Sequence, residues 1–160
     1  MTTDHTVATP ADADDAAGSP TVIETSAQQR RDILRTARTV AVVGASPNPL
    51  RPSNSVAAYA INAGYTVYPV NPAVGEVLGL RSYPTLADLP ESPDIVDVFR
   101  APDAIAEVVD EAIAAGAKVV WLQLGLRDDA AARKAIDAGL AVVQDRCLKV
   151  EHAALVGTAC

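Results

Sequence analysis

From about residue 38 the chain alternates short apolar, β-branched runs with longer stretches of helical period. Residues 39–43 (TVAVV), 66–70 (TVYPV), 94–99 (DIVDVF), 118–122 (KVVWL) and 140–143 (LAVV) predict strands. Between them, residues 26–37, 52–63, 102–115 and 128–138 read as helices, and 148–154 as a short closing one. Gly64, Gly116 and Gly139 stand just past three of these, and Pro52 and Pro102 at the start of two, the Pro-in, Gly-out asymmetry of helices. Strands this apolar on both sides need cover on both faces. With the right-handed crossover rule, they predict an α/β fold: a Rossmann-like, doubly wound parallel sheet of about five strands with helices on both faces.

The first twenty residues break that rhythm. They are mostly Ala, Asp, Thr and Pro with no large apolar periodicity, too little surface to offset ordering entropy. Residues 1–24 are therefore predicted to be a disordered acidic tail, and 25–160 one folded domain. At 160 residues there is no room for a separate catalytic domain beside a nucleotide-binding one. The net charge of -7 divides along the same line: five acids and no Lys or Arg precede residue 26, leaving 15 acids against 13 bases in the body. A nearly neutral body argues against a nucleic-acid surface. Ten of its thirteen bases are Arg, which suits bidentate contact with phosphate. Two cysteines, Cys147 and Cys160, make no disulfide framework, and no apolar run is long enough for a membrane span or a leader. A cytoplasmic protein is the expectation.

In open α/β sheets ligands bind beyond the carboxyl ends of the strands, so the following loops are where chemistry is to be sought. Four of these five loops carry an arginine: Arg51, Arg100, Arg127 and Arg146. In a parallel sheet all four lie at one end and predict a polyanion site. The first loop, GASPNPLRPS, puts Gly44 at a tight turn after a strand and a helix start beyond it, with Ser46, Ser53 and Asn54 as further donors. It lacks the G-x-G-x-x-G spacing, and Asn71 stands where an NAD-binding domain places an acid. A Walker motif is absent too. His5 falls in the tail, and His152, late on the closing helix, reads as structural or exposed. No cluster has metal-ligand spacing, so no metal is expected. Asp97 inside the third strand reads as a hydrogen-bonded structural acid, and Trp121 as core. Cys147, beside Arg146 at a strand end, is either a small buried hydrophobe or a thiol activated by nearby positive charge.

The strings VAVVGASPNPLRPSNSVA, GYTVYPVNP, VLGLRSYPTLADLP, DIVDVFR, GAKVVWLQLG and QDRCLKVEH together resemble the stand-alone coenzyme A-binding domain proteins, whose fold is similar to the coenzyme A-binding domain of the succinyl-CoA synthetase alpha subunit. The resemblance runs from Arg38 to Leu155. It implies coenzyme A or an acyl-CoA as the small-molecule ligand. Gly44, Ala45, Ser46, Arg51 and Ser53 would form the phosphate loop, and Asn71 and Pro72 the adenosine side. Phe99, Arg100 and Ala101 would lie at the end of the third strand. Gln123, Leu124 and Gly125 would border the pantetheine path, with Arg146 and Cys147 at its thiol end. The ligase also needs a phosphorylated His domain and a partner subunit, so its reaction is not expected here. The alternatives are an NAD(P)-binding Rossmann enzyme, a redox protein forming a Cys147–coenzyme A mixed disulfide, and a subunit presenting acyl-CoA to a protein partner.

Overall fold

A computed structural model describes residues 23–157. Five parallel strands form one sheet: β1 (Thr39–Val43), β2 (Thr66–Val70), β5 (Ile95–Val98), β6 (Val119–Leu122) and β7 (Ala141–Val143), in the spatial order β2-β1-β5-β6-β7. A separate two-stranded hairpin, β3 (Glu76–Val77) with β4 (Leu80–Arg81), lies between β2 and β5 in sequence. Counted along the chain, the main strands run 2-1-3-4-5, and the order reverses between β1 and β5.

The strand side chains alternate between two cores. Ala41, Val43, Val96, Val98, Val120 and Leu122 pack beneath α3 (Ile105–Ala114) and α4 (Asp129–Asp137). Val40, Val42, Ile95, Val119, Trp121 and Val143 face α1 (Ala27–Thr36), α2 (Pro52–Asn62) and α5 (Leu148–Leu155). The doubly wound, helix-covered sheet expected from the apolar runs is thus present. Among the described residues no helix is long and apolar enough to cross a membrane.

Two expectations need correction, and one element was unforeseen. Pro102–Ala104 is a 3-10 turn, and α3 proper begins at Ile105. Ile23 and Glu24, assigned above to the tail, belong to the fold: Ile23 packs on the α3/α4 core and Glu24 pairs with Arg127 at 2.8 Å. Residues 1–22 lie outside the described residues. The hairpin was not expected. Its two-residue strands are too short to show a period, and its turn uses Leu78 at φ +54° before Gly79 at +77°, where Asn would be the common choice. Tyr83 then runs beside β2, donating to Pro69 O and accepting from the Asn71 N–H, both at 2.9 Å, and so covers that edge strand.

Asp94 ties the lower ends of β1 and β5 together. Its Oδ2 accepts from the N–H groups of Arg38 (2.7 Å) and Thr39 (3.2 Å), and its own N–H donates to Thr39 Oγ1 at 2.8 Å. Burial alone would raise its carboxyl, but those N–H groups and the Lys118 ammonium outweigh this and hold it below the usual carboxylate range. A depressed folded-state value contributes stability above the unfolded carboxylate range that is lost as pH falls through it. Asp94→Ala is expected to destabilise by roughly 1 to 3 kcal/mol at pH 7, with the deficit shrinking as pH drops below about 4. Urea unfolding of both proteins across that range checks it.

Candidate functional site

The chain leaves β1 through Gly44 at φ +88°, held between its neighbours: its N–H donates to Val70 O at 2.9 Å, and the Phe99 N–H donates to Val43 O at 2.8 Å. A Cβ at Gly44 would stand 2.1 Å from Phe99 O. Only glycine fits this corner. The loop beyond is held by its own polar groups. The Ser46 N–H donates to Ser53 Oγ (3.1 Å), Asn54 Nδ2 to Ser46 O (2.9 Å), and the Asn48 N–H to Ser46 Oγ (3.1 Å). Asn71 braces it from β2, donating through Nδ2 to Ala45 O at 2.7 Å while its Oδ1 accepts from the Ala73 N–H at 2.8 Å. Pro52 then opens α2, whose N-terminus no side chain caps.

This corner borders two adjoining clefts where the strand order reverses. One, of about 420 Å³, is lined by Gly44, Ser46, Arg51, Ser53, Phe99 and Arg100. Its neighbour, of about 500 Å³, includes Asn71, Pro72, Thr85, Arg100, Glu107 and Glu111. Arg51 and Arg100 are exposed there and, among the described residues, neither pairs with a carboxylate. The other two loop arginines correct the expectation of four free cations. Arg127 pairs with Glu24 at 2.8 Å and Asp129 at 3.5 Å, and Arg146 with Glu151 at 3.0 Å. Glu151 also takes Arg30 at 3.0 Å, so Arg146 belongs to a network tying α1 to α5.

Of the remaining residues anticipated from sequence, Ala45 is buried beneath the loop, whereas Ala101 is exposed and lines neither cleft. Gln123, Leu124 and Gly125 form the turn after β6, closed by Leu126 N–H to Gln123 O at 2.8 Å. Gly125 donates to Asp145 Oδ1 at 2.6 Å, and Asp145 sits at φ +56°. Leu124 is 71% exposed. Arg146 O accepts from Trp121 Nε1 at 2.8 Å, and Cys147, half-buried, stands just before α5. These five line neither cleft; they lie farther along the sheet edge, at the ends of β6 and β7. Of the two readings of His152, structural or exposed, burial favours the first: it is hydrogen-bonded to Tyr59 OH through Nδ1 at 2.9 Å, and burial depresses its basicity.

A model of the CoA binding domain matches residues 38–153. The chain belongs to the CoA binding domain family. It is 37% identical to the uncharacterized protein YneT of Bacillus subtilis (strain 168) over 77% of this chain and 91% of that one. A hypothetical protein from Pyrococcus horikoshii OT3 superposes with a TM-score of 0.80 at 44% identity, covering 83% of this chain and 94% of that one. The ADP-forming acetate–CoA ligase I of Archaeoglobus fulgidus is 34% identical over 46% of this chain, which amounts to 11% of the ligase.

This CoA binding domain holds one further group whose importance the sequence understated. Asp97, paired in register between Val42 and Trp121, is fully buried. Its Oδ1 accepts from Gln123 Nε2 at 2.6 Å; its Oδ2 is the buried side-chain oxygen among the described residues that has no partner. The expectation of a hydrogen-bonded structural acid holds for one oxygen only. Burial pushes the carboxyl up to about 8, against the smaller opposing pull of the Gln123 bond. The signal available in sequence was an acid in an otherwise apolar strand, one strand over from a Gln at a strand end.

Two outcomes follow from this geometry. Gly44→Ala is expected to lower stability by at least about 2 kcal/mol, because φ and the Phe99 carbonyl oppose it together; thermal unfolding measures this. Asp97→Asn acts in the opposite direction. A raised folded-state value means that native protein binds the proton more tightly than unfolded chain, so wild-type stability falls between about pH 4 and 8, by at most about 1.4 kcal/mol per pH unit. The Asn variant is expected to be the more stable, with a gap that widens over that interval in denaturant titrations.

Proposed function

We propose that this chain binds coenzyme A or an acyl-CoA at the β1/β5 clefts, as a binding module without ligase chemistry of its own. The observation that carries the reading is the cleft at the strand-order reversal. There the backbone comes close at Gly44, the uncapped start of α2 faces the loop, and Arg51 and Arg100 pair with no carboxylate among the described residues. Such a place favours a polyanion. Membership of the CoA binding domain family supports coenzyme A as that polyanion.

On this reading Gly44, Ser46, Arg51 and Ser53 hold the pyrophosphate, and Arg100 is shared between the two clefts. Asn71 and Pro72 border the adenosine. The absence of an acid at Asn71 suits a ligand bearing a phosphate on its ribose, which a carboxylate there would repel. Glu107 and Glu111, on the far wall of the second cleft, favour placing the phosphates on the Arg51 side of it. The matched part of the acetate–CoA ligase is 11% of that enzyme, so its group-transfer chemistry is not carried over. Arg146, already bound to Glu151, is assigned no phosphate.

Calorimetry with coenzyme A, dephospho-CoA and NAD tests the reading. Coenzyme A is expected to bind at least about tenfold more tightly than dephospho-CoA or NAD. Arg51→Ala and Arg100→Ala are each expected to weaken it by roughly ten- to a hundredfold, the range for charge-assisted hydrogen bonds. Equal affinity for coenzyme A and dephospho-CoA would remove the preference for a ribose phosphate read from Asn71, and unchanged affinity in both arginine variants would remove the role given to the arginines.

A further inference from the structure

The orphaned oxygen of Asp97 is expensive. A buried polar group left without a partner costs about 1 to 3 kcal/mol, and an apolar residue such as the flanking Val96 and Val98 would avoid it. Among the described residues no cation pairs with Asp97. Asp97 faces the α1/α2/α5 core, where α2 carries no acid or base other than Tyr59. On α5, Glu151 is bound to Arg30 and Arg146, His152 to Tyr59, and Lys149 to Ser55. Among the described residues the single side-chain hydrogen bond of Asp97 is to Gln123.

That contact has a directional consequence. With Nε2 turned down to Asp97 Oδ1 at 2.6 Å, the carboxamide of Gln123 presents Oε1 away from it. Among the described residues no protein donor meets that oxygen, although Gln123 is itself only 6% exposed. An acceptor fixed in this way repels phosphate oxygens and takes an N–H or hydroxyl. Along the sheet edge Gln123 lies at the end of β6, one strand beyond β5 and Arg100, a step of about 5 Å. Gln123 lines neither cleft, yet in the β5/β6 register it follows Leu122 as Phe99 follows Val98, and Phe99 lines the first cleft; an elongated ligand with its phosphates at Arg51 and Arg100 that leaves on the β6 side lays its next segment across Gln123. In coenzyme A that segment is the pantetheine arm, which carries secondary amides.

We infer that Gln123 and Asp97 form the specificity element for an amide-bearing arm: Gln123 Oε1 accepts from an amide N–H of the ligand, and Asp97 is the positioning residue that holds the carboxamide in that orientation. This rests on the coenzyme A reading and deepens it. It explains why an acid stays at a place where it lowers stability, since functional sites are where local rules of burial are broken.

The test compares coenzyme A with 3′-phosphoadenosine 5′-diphosphate, the same nucleotide without the arm, on the full chain by calorimetry. Gln123→Ala is expected to weaken coenzyme A about five- to fiftyfold and to leave the truncated nucleotide within about twofold. Asp97→Asn, which keeps an acceptor for Nε2, retains coenzyme A affinity. Asp97→Val loses affinity as Gln123→Ala does, and the double variant is no weaker than Gln123→Ala alone. A general packing role would weaken both ligands together, and that result overturns the inference, as does unchanged coenzyme A affinity in Gln123→Ala. Should Asp97→Val fail to fold, the Gln123→Ala comparison decides by itself. If wild-type protein binds neither ligand, the coenzyme A reading falls and this inference with it. If wild type binds coenzyme A and Gln123→Ala binds it equally well, only the inference falls.

Discussion

The close approach of β1 and β5 at Gly44 governs what surrounds it. β1 is the first strand in sequence but second across the sheet, so the chain departs from it to one side for β2 and later returns on the other for β5. Those two excursions leave an opening only above the β1/β5 junction. Its floor is set by the backbone, with the Gly44 N–H on Val70 O and the Phe99 N–H on Val43 O, and a side chain at Gly44 would collide with Phe99 O. Arg100 emerges just beyond β5, and Arg51 at the start of α2, at the far end of the loop that Gly44 opens.

Around that junction the polar side chains divide into two groups by what they already hold. Ser46, Ser53, Asn54 and Asn71 are bound to the loop's own backbone or to each other, and keep it in shape without a ligand. Arg51 and Arg100 are left unpaired among the described residues. A preformed cradle with unpaired cations lowers the ordering penalty of binding, since only the ligand has to be immobilised. Arg127 and Arg146 belong to the first group. Both are at the same sheet edge as the unpaired pair, yet Glu24, Asp129 and Glu151 neutralise them, and they brace the N-terminal segment and α5.

How far the sequence disclosed this depends on the range of the interaction. The five strands and the sheet class were legible because Val- and Ile-rich runs and flanking Gly and Pro are local signals. The hairpin at Glu76–Arg81 was not, since two-residue strands carry no period and Leu78 gives no hint of a left-handed turn. Arg146 looked available because its partner Glu151 lies one turn into the next helix, and Arg127 because its partner Glu24 is 103 residues away in a segment with tail-like composition. Asp97 showed as an acid in a strand, but the orphaned oxygen depends on everything packed around it. Sequence located the charged loops; only three-dimensional packing separated neutralised cations from unpaired ones.

Asp97 also bears on why such a chain would keep a weak point at the centre of its sheet. A parallel strand buried on both faces gains most from apolar side chains, and its neighbours in β5, Ile95, Val96 and Val98, follow that rule completely. Replacing one of them by a carboxyl with a single hydrogen bond sacrifices both packing and a satisfied polar group. The compensation that the fold itself offers, one bond from Gln123, is too small to retain the acid on stability grounds. What the acid does accomplish is local: it removes the freedom of a carboxamide to rotate at the mouth of the β6 end. Rotational freedom at this amide is of little consequence to folding but matters to recognition, because a free carboxamide shows donor and acceptor alternately whereas one held through Nε2 shows the acceptor. The burial of Asp97 strengthens that pin, since low polarity makes its one hydrogen bond harder to exchange for water.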